Sequence, residues 1–549
     1  MMSKADIFGY EPDHKYNKAV AYFAMEFGID QALKTYCGGL GYLAGSHMRS
    51  AFALKQNVIG VGILWKYGYY DQVRSSDGLL NPVFIKKSYS FLEDTGIIVT
   101  VRIHQAPVHV KAYLLSPSVF GTAPILLLST DIPENDYLSG TITHRLYDPN
   151  ESTRIAQTIV LGIGGALVLE ALGIAPDVYH MNEGHSVTLG FYLFEKYKDI
   201  AEVRRRLVFT THTPEAGGNE EHRISFLSDM SFFCSLPEAE IRMLLDMNGE
   251  IFNYTVAALR FSRRANGVSK LHAETANQMW GNTPGICPIL SITNAQNKAY
   301  WKDDILDGAI LSDNDELIKA RKKELKRCLF KIVADQCGKI FDENVLTIVW
   351  ARRFSGYKRP ELIMADWNEF VGLVTDKQCP VQIIWAGKPY PEDAVEIGKF
   401  NFIIKQTADL ANCAVLLGHE LALSALLKRG SDIWLNTPRK YHEASGTSGM
   451  TAAMNGSINL SIPDGWVPEF AVDRKNCFLI QTAADGAGQE QADQMEYRNL
   501  FDTLTKVVIP MYYHDQEQWL RIIKKAAADI VPRFDSGRLA HEYYEQLYL

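Results

Sequence analysis

Four cations fall within eight residues of the segment ARRFSGYKRP: Arg352, Arg353, Lys358 and Arg359. No acid interrupts them, and a Ser-Gly pair turns the chain between them. Holding like charges together costs electrostatic repulsion that an anionic ligand relieves, so the cluster reads as a phosphate site. In EASGTSGMTAA, Glu443 precedes a small-residue turn that opens a helical pattern. Successive N–H groups at such a start suit a phosphate, and the carboxylate suits sugar hydroxyls. A plain capped helix is the other reading, because Ser and Thr are natural caps. The stretch Tyr36–Gly45 carries three glycines in GGLG ahead of a helical pattern. It allows close backbone approach to an anion or makes a tight turn. Asn182, Glu183 and His185 in HMNEGHS, and His212 in FTTHTPEAGGN, end two apolar runs. A lone histidine there is usually structural; two at strand ends point to a shared cleft.

The elements that position these residues alternate between short apolar runs and longer helical patterns. VAYFAMEF, VIGVGILW, PILLLSTDIP, PDVYHMNEGH and RLVFTTHTP read as strands in the first half. VLTIVWARRF, VQIIWAGKPY, CAVLLGHE, SDIWLNTPRK and INLSIPDGW repeat the rhythm in the second. Dense apolar strands separated by helices predict an α/β protein with parallel sheets covered on both faces. Ligands bind such sheets outside the carboxyl ends of the strands, where His185, His212, Arg353, Lys388 and Glu443 fall. The charged segment 302–344 predicts a helix with a solvated face. A junction near Asn294 gives domains 1–294 and 295–549. The final helix, 515–549, is expected to cross back onto the first domain, and 482–494 reads as a loop.

A chain of 549 residues exceeds one ordinary core. The net charge of -8 argues against a nucleic-acid partner, which needs a basic surface. The N-terminal segment shows no signal-peptide core. The most apolar stretch, TIVLGIGGALVLEALGIA, is broken by Glu170 and glycines, so no membrane association is expected. Eight scattered cysteines without a CxxC pair predict a reduced, cytoplasmic setting and no metal.

Taken in order, these motifs resemble the α-glucan phosphorylase family, notably its short bacterial branch. TDIPEN at 131–136, NGVSKLH at 266–272, ITN at 292–294 and Ala386-Gly387-Lys388 add to the likeness, which runs from about residue 20 to about residue 470. The resemblance implies a GT-B glycosyltransferase fold, two Rossmann-like domains facing across a cleft. It implies phosphorolysis of α-1,4-glucans to glucose 1-phosphate with retention of configuration, and often a homodimer. By motif, Gly38 and Gly39 lie beside the donor phosphate, and His212 sets its backbone carbonyl by the anomeric carbon. His185 and Asn294 line the sugar pocket, Arg353 and Lys358 hold the substrate phosphate, and Glu443, Ser445 and Gly446 bind glucose hydroxyls. Thr447 and Ser448 lie near the phosphate of the cofactor, pyridoxal phosphate.

The resemblance breaks at one chemically decisive position. The family motif GTSGMK ends in the lysine that forms the pyridoxal phosphate Schiff base, and here that residue is Thr451. A hydroxyl cannot form one. Ala295 and Ser46 also depart from the family's glycine and aspartate. Three readings follow: a glucan phosphorylase that holds pyridoxal phosphate non-covalently, a retaining glucosyltransferase with a nucleotide-sugar donor, and a non-catalytic carbohydrate-binding protein. The clustered cations argue against the third. The class expected is retaining α-glucosyl transfer.

Overall fold

The computed structural model describes residues 4–549. Contacts divide the chain into two units, 1–70 with 84–297 and 536–549, and 71–83 with 298–535. The sequence shows no sign that the hairpin Asp71–Arg74 and Leu80–Val83 belongs to the second unit.

The first unit is built on a nine-stranded sheet. Its order is Ile289–Ser291, Arg264–Gly267, Leu207–Thr210, Val178–Asn182, Val20–Phe23, Val58–Ile63, Ile125–Ser129, Ala106–Leu115 and Glu93–Ile103. The first seven strands pair in parallel, and the last two add antiparallel. Val20–Phe23, Val58–Ile63, Ile125–Ser129 and Val178–Asn182 are buried throughout, as parallel strands covered on both faces must be. The antiparallel pair instead alternates buried and more open positions along Ala106–Leu115, the period-two pattern of a sheet with one wet face. No apolar run announces it, so the sequence reading passed over it.

The second unit has six parallel strands, ordered Cys413–Leu416, Val381–Ala386, Leu346–Ala351, Ile433–Asn436, Ile458–Ser461 and Phe478–Leu479. Trp350 and Trp385 stand opposite one another in register, and both are fully buried. Their indole N–H groups donate to Thr437 Oγ1 and the Pro360 carbonyl, which removes the cost of burying a polar edge.

Both units share one topology. The first parallel strand in chain order is central, the next strands extend to one side, and the chain then returns to fill the other. That is the doubly wound arrangement, and its ligand crevice opens where the order reverses. The reversal falls between Val20–Phe23 and Val178–Asn182 in one unit, and between Leu346–Ala351 and Ile433–Asn436 in the other.

Several expectations are corrected. Lys322 and Lys326 of the helix Asp315–Cys337 are buried, not solvated. Lys322 Nζ donates to the carbonyls of Arg429, Ser431 and Asn455, and Lys326 pairs with Asp432. The stretch 482–494 is not all loop, because a helix spans Gln489–Thr503. The C-terminal segment is not one helix: Gln516–Phe534 ends at Asp535 in extended backbone, and Ser536–Glu542 starts anew. Glu151–Ala171 is long and apolar enough to cross a membrane, contrary to expectation, although most of it is buried in the protein.

Candidate functional site

In the second unit, the strand Leu346–Ala351 delivers Arg352 and Arg353, and the turn Gly356–Lys358 returns Lys358 toward the same point. The adjacent strand Ile433–Asn436 leads into the loop bearing Glu443. These charges meet in a buried cluster. Lys358 Nζ donates to Glu443 Oε1 at 2.6 Å, and the Tyr357 hydroxyl donates to the same oxygen at 3.1 Å. Arg352 Nη1 lies 2.8 Å from Glu443 Oε2. Burial drives the Glu443 carboxyl up, but Lys358 and Arg352 overcome it and hold the group at about 2. Burial pulls Lys358 down to about 7 against the attraction of Glu443. Glu443 is fixed from behind, its backbone N–H donating to Asp464 Oδ2 at 2.9 Å. Burial raises Asp464 to about 6.

Beyond Glu443 the chain passes Gly446 at φ +87°, a conformation that favours glycine. The following helix, Ser448–Ala453, has six residues, so its dipole is small, and the positive field comes instead from the arginines and Lys358. Arg352 Nη2 donates to Ser448 Oγ at 3.4 Å. Ser445 is buried, with its carbonyl accepting from the Trp466 N–H. Arg353 is exposed; burial raises Tyr357 and lowers Lys358, and the charge of Arg353 opposes the first and adds to the second.

In the first unit, the residues after Val20–Phe23 and Val178–Asn182 gather around a different chemistry. The buried Glu26 accepts from the N–H groups of Cys37 at 2.7 Å and Gly38 at 3.2 Å, and from the Tyr147 hydroxyl at 2.6 Å. The glycine turn is thus held by a carboxylate of the protein. Gly41 and Gly45 serve packing: a Cβ at Gly45 would lie 2.0 Å from the Gly28 carbonyl oxygen. At Gly38 a Cβ would meet nothing within 4 Å, leaving it open to a ligand.

Glu183 holds φ +70° and ψ 172°, a backbone that costs a non-glycine residue about 1–3 kcal/mol. It accepts from the His212 N–H and the Thr213 hydroxyl. Burial lifts its carboxyl to about 7. His212 Nε2 donates to Asn182 Oδ1 at 2.7 Å. Burial, with His272 and His185 nearby, lowers His212 to about 3, so it is neutral. Burial also lowers His185, whose ring centroid is 5.9 Å from that of Tyr147. The Asn294 N–H donates to the Val268 carbonyl, and the Val268 N–H donates to His272 Nδ1. Gly38, His185, His212 and Asn294 therefore belong to one network of the first unit. Arg353, Lys358, Glu443, Ser445, Gly446, Thr447 and Ser448 belong to one neighbourhood of the second.

Sequence reading missed Glu26, Tyr147 and Asp464. Glu26 and Asp464 had a signal, since each is an acid three residues past a buried strand; Tyr147 had none.

Pyridoxal phosphate needs a cradle for its phosphate and an amine for its aldehyde. Thr447, Ser448 and Arg352 suit the phosphate. Thr451 is fully buried, and its hydroxyl donates to the Ser448 carbonyl at 3.0 Å, closed into its own helix. The residues fit the phosphate end of the cofactor and not its attachment at position 451.

No family model matches the sequence. Individual relatives do. An uncharacterized protein of Methanocaldococcus jannaschii is 48% identical over 532 residues, covering 97% of this chain and 100% of that protein. Maltodextrin phosphorylase of Thermococcus litoralis is 31% identical over 593 residues, covering 97% of this chain and 71% of that enzyme. Glycogen phosphorylase of Aquifex aeolicus is 30% identical over 606 residues, covering 97% and 86%. Likeness of this extent, 30–31% identity over 97% of this chain, makes the chain a member of the glycogen and maltodextrin phosphorylase family.

Proposed function

We propose that this protein catalyses retaining α-glucosyl transfer in α-1,4-glucan metabolism, cleaving a glucan with inorganic phosphate to give glucose 1-phosphate. The observation that carries the reading is the buried cluster of Arg352, Lys358 and Glu443 at the strand-order reversal of the second unit. We further propose the family's GT-B fold, with each of the two units a Rossmann-like domain, in a cytoplasmic protein that can form a homodimer.

In this reading Arg353 and Lys358 bind the phosphate and stabilise its charge as the glycosidic bond breaks. Glu443 neutralises the buried cations until phosphate arrives, then turns to sugar hydroxyls with Ser445 and the Gly446 turn. The neutral His212 contributes its backbone carbonyl dipole to the developing positive charge on the anomeric carbon. His185 and Asn294 line the sugar pocket, and Gly38 and Gly39 adjoin the donor phosphate. Thr447 and Ser448 would hold the phosphate of pyridoxal phosphate, which when bound supplies an acid.

Thr451 favours a second reading, a nucleotide-sugar donor whose distal phosphate uses the same cradle. Incubation with maltodextrin and phosphate separates the two. Release of α-glucose 1-phosphate supports phosphorolysis; its absence, with transfer from UDP-, ADP- or GDP-glucose, supports the second reading.

A further inference from the structure

Arg359 is the fourth cation of ARRFSGYKRP, and its guanidinium is engaged within the protein. It is buried, and its backbone is left-handed at φ +47°, a conformation a non-glycine residue keeps only where its surroundings fix it. Nε donates to the Thr437 carbonyl and Nη2 to the Pro438 carbonyl, each at 3.0 Å. Nη2 also donates to Glu496 Oε2 at 2.5 Å, and Nη1 donates to Asp493 Oδ1 at 2.7 Å. Thr437 returns the contact, its hydroxyl donating to the carbonyls of Lys358 and Arg359 at 3.1 Å. Arg359 therefore joins the turn that carries Lys358 to the stretch that leads to Glu443.

A second arginine makes the same link in the other direction. The Arg439 N–H donates to the Tyr357 carbonyl at 2.7 Å. Its guanidinium grips both oxygens of Asp493, with Nη2 2.9 Å from Oδ2. Asp493 thus holds two arginines at once, one directly after Lys358 and one four residues before Glu443. Burial pushes the Asp493 carboxyl up, but Arg439 and Arg359 hold it below the usual carboxylate range. Glu496 lies three residues further along the same helix, Gln489–Thr503, on the same face. It pairs with Arg359, so Asp493 alone of the two acids bridges both arginines. A counterion that only stabilises the unit is the plain alternative.

We propose that Asp493 is a positioning residue. By bridging Arg359 and Arg439 it clamps the Lys358 turn against the Glu443 loop, and so fixes the spacing at which Lys358 and Glu443 meet their ligands. A misplacement of about 1 Å at a site of this kind costs about 100-fold in rate, so loss of the clamp reaches catalysis without unfolding the unit. The identity of the ligands rests on the phosphorylase reading above; the clamp does not.

Acetylation of lysines in the native full chain, mapped by mass spectrometry, reads the clamp without any assay of turnover. Lys322, Lys326, Lys358 and Lys428 are all buried in this unit. In Asp493→Ala, Lys358 is expected to react roughly tenfold faster or more than in the wild type, with the other three unchanged, because the opening is local. Calorimetric titration with inorganic phosphate is expected to show affinity weakened about tenfold or more. Equal acceleration at all four lysines means that Asp493 only stabilises the unit, and an unchanged Lys358 means that the loops hold without it; either overturns the assignment. Should Asp493→Ala not fold, Arg439→Ala, which removes one link at a half-buried residue, decides by the same comparison. If Lys358 alone is unmasked and the wild type binds no phosphate, the phosphorylase reading falls and the clamp stands. If wild type and variant bind phosphate equally, the positioning role falls and that reading stands.

Discussion

The two units end their central strands in opposite electrostatic regimes. At the reversal point of the first, burial keeps His212 neutral at about 3 and lifts Glu183 to about 7. At the same topological point of the second, Arg352, Lys358 and Glu443 bind one another as a charged cluster, with Glu443 held at about 2. Around His212 and Glu183 the first unit thus presents uncharged groups, where the second presents formal charges. Sugar hydroxyls and a glucosyl cation suit the former, and a phosphoryl group suits the latter. Charge pairing in the second unit keeps its carboxylate ionised, whereas hydrogen bonds alone in the first do not overcome desolvation.

The contrast can be broken by removing Glu443. Glu443→Ala strands two buried cations and is expected to cost about 3–5 kcal/mol of stability, read by denaturant unfolding; a near-neutral effect would mean the cluster is not a buried charged pair. pH dependence sharpens the contrast further. Glu183 has its carboxyl raised from 4.5 to about 7, so the folded state binds its proton more tightly than the unfolded state. Its contribution is complete below pH 4.5 and is lost as pH rises through 7, a change of about 3 kcal/mol that Glu183→Gln should abolish. Glu443 has the opposite sign: its contribution is present above pH 4.5 and is lost as pH falls toward 2. Unfolding free energies across both windows check the pair. Smaller effects separate the glycines of the first unit. Gly45→Ala forces a Cβ against the Gly28 carbonyl and is expected to cost about 1–3 kcal/mol in unfolding free energy. Gly38→Ala meets open space and should stay within about 0.5 kcal/mol by the same measurement.

Much of this architecture was legible because buried parallel strands must be continuously apolar. All ten runs read as strands are strands, and the polar residues that end them fall where such sheets bind ligands. The edge hairpin Glu93–Ile103 and Ala106–Leu115 was not legible, because a one-sided sheet spends half its positions on solvent. The site was legible by residue type and not by pairing. Arg352, Lys358 and Glu443 were each singled out, but that Glu443 neutralises the cations depends on two strands that are neighbours in space and far apart in sequence. Glu26 on the glycine turn is hidden for the same reason. Lys322, Lys326 and Lys428 escaped because buried lysines look like surface lysines until the carbonyls, carboxylate or indole that receive them are known.

The central claim is that the charges after Leu346–Ala351 exist to grip a phosphoryl group. Calorimetric titration of the full chain with inorganic phosphate, set against Arg353→Ala, tests it most directly. The account predicts saturable binding to the wild type, weakened tenfold or more in Arg353→Ala by loss of a charge-assisted hydrogen bond. Equal affinity in the two proteins, or no binding to the wild type, would contradict it.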